Sequence, residues 1–241
     1  MINPLRLDQP IAPQLFFELR MAIIEMRFNP GEALSEKEIS LKYGVSRQPV
    51  REAFIKLSEA GLVEIRPSRG TYVSKISVRR VADARLVREA VECSLVRNAT
   101  RLAKPKDIDF LDELLEEQDQ AFSEDNFNRF NRSDNFFHRA IANIVQCDYA
   151  LKTVEGARNE IDRVRYLSLG IATPMKRLIE QHRNIVSAIR SGEPDAADKA
   201  MREHLREILL ALPHLAEVNP DIFEDRSLPE HTIQIINDIS H

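Results

Sequence analysis

Tryptophan is absent from the 241 residues, glycine occurs only seven times and cysteine only twice. Scarce glycine without tryptophan suits a helix-rich soluble chain, and the sequence has neither an internal repeat nor a low-complexity tract. No stretch approaches the roughly 20 apolar residues of a membrane span, and MINPLRLDQP lacks the apolar segment of a signal peptide. A cytoplasmic protein with no membrane partner is therefore expected. Cys93 and Cys147 sit in helical patterns without CxxC spacing, so buried free thiols are expected rather than a disulfide. A basic excess is missing too: 34 Lys and Arg face 38 Asp and Glu, a net charge of −4. That sum does not exclude nucleic acid, because phosphate attraction depends on where Lys and Arg are placed. Residues 1–75 carry 11 basic against 9 acidic groups, and the remainder 23 against 29.

What is present is helical periodicity, at a length that suits two domains of the usual size, roughly 100–150 residues. In residues 11–26, Leu15, Phe16, Leu19, Ala22, Ile23 and Met26 fall at the spacing of an amphipathic helix. Ser35-Glu36-Lys37-Glu38 reads as a capping box that starts a second, short helix closed by Gly44. Ser46 is placed to cap a third over 47–60, with Pro49 in its first turn, where a missing N–H costs least, and Gly61 after it. Residues 62–66 and 71–75 alternate as strands of a hairpin about Pro67-Ser68-Arg69-Gly70. From Val78 the pattern stays helical, with breaks near 104–105, 123–126, 146–149, 170–174 and 191–194 that delimit six helices. The expected fold is mainly α. It comprises a winged helix-turn-helix in 1–77, an all-α helical bundle in 78–215, and a polar tail in 216–241 with room for one short helix at 231–239.

Helix, tight turn, helix and hairpin is the order of a winged helix-turn-helix, and Ile39, Val45, Val50, Ala53, Phe54 and Leu57 supply apolar residues for the helix crossing. That leaves Arg47, Gln48 and Arg51 on the outer face at the start of the second helix, where recognition-helix residues meet base edges. The planar fork of Arg can donate twice to guanine O6 and N7. Ser46 is placed for a phosphate, and Lys37 for the DNA backbone or a neighbouring base. Arg69-Gly70 puts a cation on a narrow loop tip suited to the minor groove. Arg and Ser in first turns also occur on plain solvated faces, so these residues alone leave both readings open.

The stretch LSEKEISLKYGVSRQPVREAFIKLSEAGLVEIRPSRGTYV, above all GVSRQPVREA followed by GLV and RGTYV, resembles the N-terminal domain of the GntR superfamily of bacterial regulators. The resemblance implies double-stranded DNA as partner. It puts Lys37, Ser46, Arg47, Gln48, Arg51, Arg69 and Gly70 at the family's DNA-contacting positions. Gln48 stands where the family more often has threonine, which implies a different operator preference.

In the helical part, Asp134 and His138, four apart in RSDNFFHRAIA, share a helix face. His182 precedes Gly192 by ten residues and His204 follows Pro194 by ten, so antiparallel helices would bring both to similar height. One carboxylate and three imidazoles make a sound ligand set for Zn²⁺, Ni²⁺ or Mn²⁺, with water or a ligand completing it. For each histidine singly, a solvated or cap-bonded ring is the ordinary alternative. DxxxH, then EQHRxIxxAI, then MxxHL resemble the FCD effector domain of the FadR subfamily, and six helices rather than seven resemble its VanR-like branch. In the metal-binding members these four residues are the ligands, so the resemblance implies a divalent metal cofactor, zinc first. Cys147-Asp148-Tyr149 stands where that family commonly has a Gly-Asn turn, which leaves the start of one helix open. Arg88, in VREAVE, matches the family's REALE-like motif, and an inward Arg beside a metal would clamp a carboxylate effector bidentately. Arg165 is a second candidate for that pocket. A surface salt bridge is the alternative for each, and His214, His231 and His241 lie outside the motifs.

Taken together these features describe a homodimeric regulator, a repressor before an activator, of a catabolic operon. Two winged domains would bind a pseudo-palindromic operator under control of a small organic acid bound near the metal. No residue stands out as the general base of a metal enzyme, so catalysis is not expected. A metal-dependent enzyme carrying a DNA-binding domain, and a regulator with a purely structural metal, are the alternatives.

Overall fold

A computed structural model describes residues 5–6, 8–168 and 174–239, the last three of these by backbone only. The break expected at 170–173 lies outside the described residues.

Local signals account for the first helices. α1 (Ile11–Ile24) turns Leu15, Leu19, Ala22 and Ile23 inward. After β1 (Ala33–Leu34), α2 (Glu36–Tyr43) begins where Ser35 Oγ accepts from Glu38 N at 3.3 Å. It ends at Gly44, whose φ of +66° is a left-handed conformation that a side chain resists. α3 (Arg47–Glu59) buries Val50, Ala53, Phe54 and Leu57 against α1 and α2. Ser46 stands at its N-cap, but the hydroxyl makes no capping bond, contrary to expectation.

β2 (Val63–Arg66) and β3 (Gly70–Val73) form the expected hairpin, antiparallel from Val63↔Val73 to Arg66↔Gly70. The sheet has a third member the pattern did not announce: β1 lies on the other edge of β3, giving the order β1-β3-β2. Two residues are too short to alternate. Backbone bonds hold them instead, with Gly31 N donating to Val73 O at 2.8 Å and Val73 N to Glu32 O at 2.9 Å.

Six helices follow: α4 (Val78–Leu102), α5 (Pro105–Ser123), α6 (Phe127–Val145), α7 (Asp148–Ser168), α8 (Met175–Arg190) and α9 (Pro194–Val218), with α10 (Glu230–Ile239) in the tail. Pro105 and Pro194 open α5 and α9 in the first turn, where no N–H is missed. Gln146 closes α6 at φ +57°, so a side-chain-bearing residue takes the left-handed position and α7 starts at Asp148. Cys147 falls in that connector and is exposed, which corrects the expectation of two buried thiols; Cys93 is buried, and both are free. α4 packs along α9, α7 and α6, around a core that includes Val96, Phe137, Ile141, Ile185 and Ile189.

The tail does not stand apart from the rest. Ile76 N donates to Ile222 O at 3.0 Å, and Glu224 N returns a bond to Ile76 O at 2.9 Å. Asp225 accepts from Ser77 Oγ at 2.6 Å and from Val78 N at 2.9 Å, capping α4, while Phe223 is buried beside Ile76 and Val78. The connection between the winged domain and the bundle is thereby strapped down. Asp225→Ala is expected to cost about 1–2 kcal/mol, the usual worth of a helix cap. A lowered urea midpoint with unchanged slope would report it, and an unmoved midpoint would show that the strap does not hold.

Candidate metal centre and DNA-reading surface

Asp134 and His138 lie one turn apart on α6, His182 on α8 and His204 on α9; all four are buried, with one donor atom each within 4.8 Å of the others. His138 Nε2 and His182 Nε2 are each 3.2 Å from His204 Nε2. Asp134 Oδ1 is 3.5 Å from His182 Nε2 and 3.9 Å from His138 Nε2.

The outer ring nitrogens decide what faces inward. His138 Nδ1 lies 2.5 Å from Glu92 Oε2. Burial works to raise the Glu92 carboxyl, but Arg88 and His138 outweigh it and hold it below its ordinary value, so it is an acceptor only. A carboxylate acceptor that close favours the His138 proton on Nδ1 and a lone pair on Nε2, although the approach lacks the alignment of a full hydrogen bond. Gln181 donates its amide to Glu207 at 2.9 Å, which leaves its Oε1 to accept from His204 Nδ1 at 3.1 Å. His204 Nε2 thus also points a lone pair inward. His182 Nδ1 faces Gln118 Oε1 at 2.7 Å. Burial pushes all three imidazoles down, His182 to about 3, so protonation does not relieve the crowding.

Two lone pairs facing each other across 3.2 Å repel, and a cation between them turns repulsion into coordination. Asp134 completes the case. Its Oδ2 accepts from Arg158 at 2.9 Å and from Arg165, whereas Oδ1 is buried with no hydrogen-bond partner among the described residues. Burial opposes its charge, yet Arg165, His138 and Arg158 hold it well below the usual carboxylate range. A tetrahedral ion with bonds of ~2.0–2.1 Å needs donors ~3.3–3.4 Å apart. Four of the six separations, 3.2, 3.2, 3.5 and 3.9 Å, bracket that spacing and the other two lie within 4.8 Å, so the residues present fit a divalent cation after a small closure. Glu92, Gln118 and Gln181, none of them singled out in the sequence, orient the rings. Glu92→Gln, in the folded variant, is expected to weaken Zn²⁺ binding ~10–100-fold in competition with a chromophoric chelator. Unchanged affinity would show that His138 needs no such partner.

Neither Arg88 nor Arg165 is a surface group. Arg88 is buried, donates from Nε to Glu92 at 2.5 Å and has no partner for Nη2 among the described residues, while Arg165 pairs with Asp134. Both line a cavity of about 20 Å³ beside His204, Ser168 and Leu178, room for about one water. The bidentate clamp expected of Arg88 is therefore partly engaged by the protein's own carboxylate, and an acid must displace Glu92 or Asp134, or widen the cavity, to be held there.

On the winged domain, Lys37, Ser46, Arg47, Gln48, Arg51, Arg69 and Gly70 are all exposed. Arg51 donates to both carboxylate oxygens of Glu36, at 3.1 and 3.0 Å, and Gln48 donates to Glu52 at 2.9 Å. The side chains of Lys37, Arg47 and Arg69 make no hydrogen bond or ion pair among the described residues. Tyr72 stiffens the wing: its hydroxyl donates to Arg69 O at 2.9 Å, and the Arg66 guanidinium lies 4.6 Å over its ring.

A winged helix-turn-helix joined to an all-helical domain with a buried carboxylate–imidazole cluster is the architecture of a two-domain bacterial regulator. Residues 12–73 match the gntR family of bacterial regulatory proteins, and residues 83–207 match the FCD domain. The chain belongs to the GntR family of transcriptional regulators and carries an FCD domain. It is 39% identical over 224 residues to the HTH-type transcriptional repressor RspR of Escherichia coli (strain K12), covering 93% of this chain and 97% of that protein. It is 32% identical over 225 residues to the HTH-type transcriptional repressor NanR of Escherichia coli, covering 79% and 80%. Among solved structures, E. coli McbR/YncC shares the fold with a TM-score of 0.74 at 19% identity, over 88% of this chain and 98% of that one. A GntR transcriptional regulator from Rhodococcus sp. RHA1 gives 0.70 at 26% identity, over 81% and 94%. Among the described residues, no helix is long and apolar enough to cross a membrane.

Proposed function

We propose that this chain is a repressor of a catabolic operon that binds a pseudo-palindromic operator as a homodimer and answers to a small organic acid held beside a divalent metal. The observation that carries the reading is the donor set. Nε2 of His138 and of His204 and Asp134 Oδ1, which has no hydrogen-bond partner among the described residues, converge in a buried space, with Glu92, Gln118 and Gln181 against the outer ring nitrogens. Asp134, His138, His182 and His204 are the ligands, with zinc first among the metals and nickel or manganese as alternatives. A bound ion supplies an electrophilic position for a carboxylate. Arg88 contributes its unpaired Nη2, and Arg165 its charge, to the same side of the cavity. Lys37, Ser46, Arg47, Gln48, Arg51, Arg69 and Gly70 contact DNA, with Arg47 and Arg51 reading bases.

The domains in this reading are 1–77 for DNA and 78–215 for effector and dimerisation, with 216–241 as a tail whose Ile222, Phe223, Glu224 and Asp225 strap the junction. Repression is supported by relatives named as repressors. Asp134 gives Oδ2 to guanidinium groups and Oδ1 to the donor set, Glu92 is held by Arg88, and Glu207 by Gln181 and Arg177, so each carboxylate beside the donors already has a role other than that of a general base. That favours a regulator over a metal enzyme. The experiment is binding-site selection from a randomised duplex pool, followed by footprinting. Two protected half-sites related by two-fold symmetry, about 10 base pairs or a multiple apart, are expected. A single asymmetric site would overturn the homodimer on a palindrome.

A further inference from the structure

Asp134 also begins a path out of the bundle. Its Oδ2 accepts from Arg158 Nη2 at 2.9 Å, and Arg158 Nε lies 3.7 Å from Asp162 Oδ1, one turn along α7. The other oxygen of Asp162 accepts from Arg20 Nη2 at 3.1 Å, and Arg20 Nε donates to Asn159 Oδ1 at 2.7 Å. Arg20 belongs to α1, which packs both on α7 and on α3, the helix that carries Arg47 and Arg51. Asp134, Arg158, Asn159 and Asp162 are buried. Carboxylate and guanidinium therefore alternate from the donor set to the DNA-binding domain.

The middle of the path is unevenly shared. Arg158 Nε is buried with no hydrogen-bond partner among the described residues, and Asp162 Oδ1, at 3.7 Å, stands just beyond hydrogen-bond reach. Arg158 is shared between Asp134 and Asp162, and Asp162 between Arg158 and Arg20. The connecting segment is held across the junction as well: Arg163 donates to Ser74 O at 2.7 Å, Arg80 pairs with Glu160 at 3.1 Å, and Met26, just after α1, packs against the cluster around Ile76 and Ile161. α1 also forms one wall of a groove of about 850 Å³, with Phe16 and Phe17 opposite Phe136 and Val154. There is room beside α1 for it to move about a strapped connection.

We infer that Arg20 is the positioning residue through which the metal-and-acid site sets the orientation of the DNA-binding domain. The inference rests on the reading of Asp134 as a ligand. Charge drawn from Asp134 through Oδ1 weakens Oδ2 as an acceptor and lets Arg158 move toward Asp162. Asp162 then holds Arg20 less firmly, and α1 is freed from α7. Such coupling needs two arrangements that the ligand distinguishes, and sharing of Arg158 supplies them.

The test uses the full chain, diluted into unlabelled protein so that distances within one chain are read, with spin labels on the exposed natural Cys147 and on Glu59→Cys at the exposed end of α3, Cys93 being buried. The distance distribution is recorded with and without one equivalent of Zn²⁺. In the natural chain a narrow distribution should widen at least about twofold on Zn²⁺ addition, the zinc-loaded form being the one on which operator and acid then compete. Arg20→Ala should be wide from the start, should not respond, and should keep Zn²⁺ affinity within about threefold, since Arg20 touches no ligand. Arg20→Lys, which keeps a charge for Asp162 but loses the second donor to Asn159, should recover part of the response. A role in stability alone would lower the melting point of Arg20→Ala and leave its response intact, which would overturn the coupling. Zn²⁺ bound by the Arg20 protein with no change in distribution would overturn it as well. Failure of that protein to bind Zn²⁺, read by titration of the same samples, would overturn the metal reading and the coupling with it.

Discussion

Zinc at a thousand times its dissociation constant is expected to raise the free energy of unfolding by about 4 kcal/mol, and His204→Ala to remove most of that gain. His204 is the hub of the donor set, with its Nε2 3.2 Å from both other imidazoles. Its loss leaves Asp134, His138 and His182 without their shared neighbour and should weaken binding by at least the ~10–100-fold that removal of a mere outer partner costs. The pH dependence of the metal-free chain has a definite sign. Burial holds His182 down near 3, against an ordinary 6.5, and depresses His138 and His204 in the same direction. The unfolded chain therefore binds more protons than the folded one between those limits, so stability is full above about 6.5 and is lost as pH falls toward 3. Zinc, which needs neutral imidazoles, should move that loss to lower pH. Denaturant midpoints measured across pH with and without zinc would show it; midpoints indifferent to zinc at every pH would contradict the metal centre.

On the DNA side the largest effect is expected from Arg47→Ala, about 1–3 kcal/mol per half-site, with relaxed preference at the contacted base pair. Arg51→Ala should cost less, although both are arginines on the same face. The Arg51 fork already donates twice to Glu36, so a guanine must displace a carboxylate to engage it, whereas the Arg47 side chain has no such partner to give up. Glu36→Ala should accordingly strengthen operator binding, by freeing Arg51 and removing a negative charge near phosphate. Fluorescence anisotropy on operators substituted at single base pairs separates the contributions. Equal losses for Arg47→Ala on every sequence would mean that Arg47 meets phosphate and not a base.

The parts of this molecule that could be read in advance are those whose cause is local. Ser35 and Gly44 bound α2 within ten residues of each other, and Asp134 and His138 share a face because they are four apart. His182 and His204 were legible from their equal distances to the turn at Gly192–Pro194. The groups that make the site specific have long-range causes. Glu92, Gln118 and Gln181 come from α4, α5 and α8 to fix the ring nitrogens, and only Gln181, inside EQH, stood beside a residue already singled out. The Arg88 carboxylate partner was in the same VREAVE string, one turn on, but whether such a pair lies in water or in the core depends on the helices that cover it. Asp225 caps α4 from 147 positions away, and Arg20 reaches Asp162 across 142. No periodicity carries information over such distances. β1 was missed for the opposite reason, being too short to have a pattern.

Operator affinity of the zinc-loaded protein, titrated with sugar acids, dicarboxylates and aromatic acids, measures conditional DNA binding directly. A complete switch from 99:1 to 1:99 requires about 5.5 kcal/mol of preference for one arrangement, and a tenfold change in affinity requires about 1.4 kcal/mol. The acid that raises the melting temperature should lower operator affinity at least about tenfold in the natural chain and leave that of His204→Ala unchanged. An acid that saturates the site while operator affinity stays the same would contradict the regulator described here.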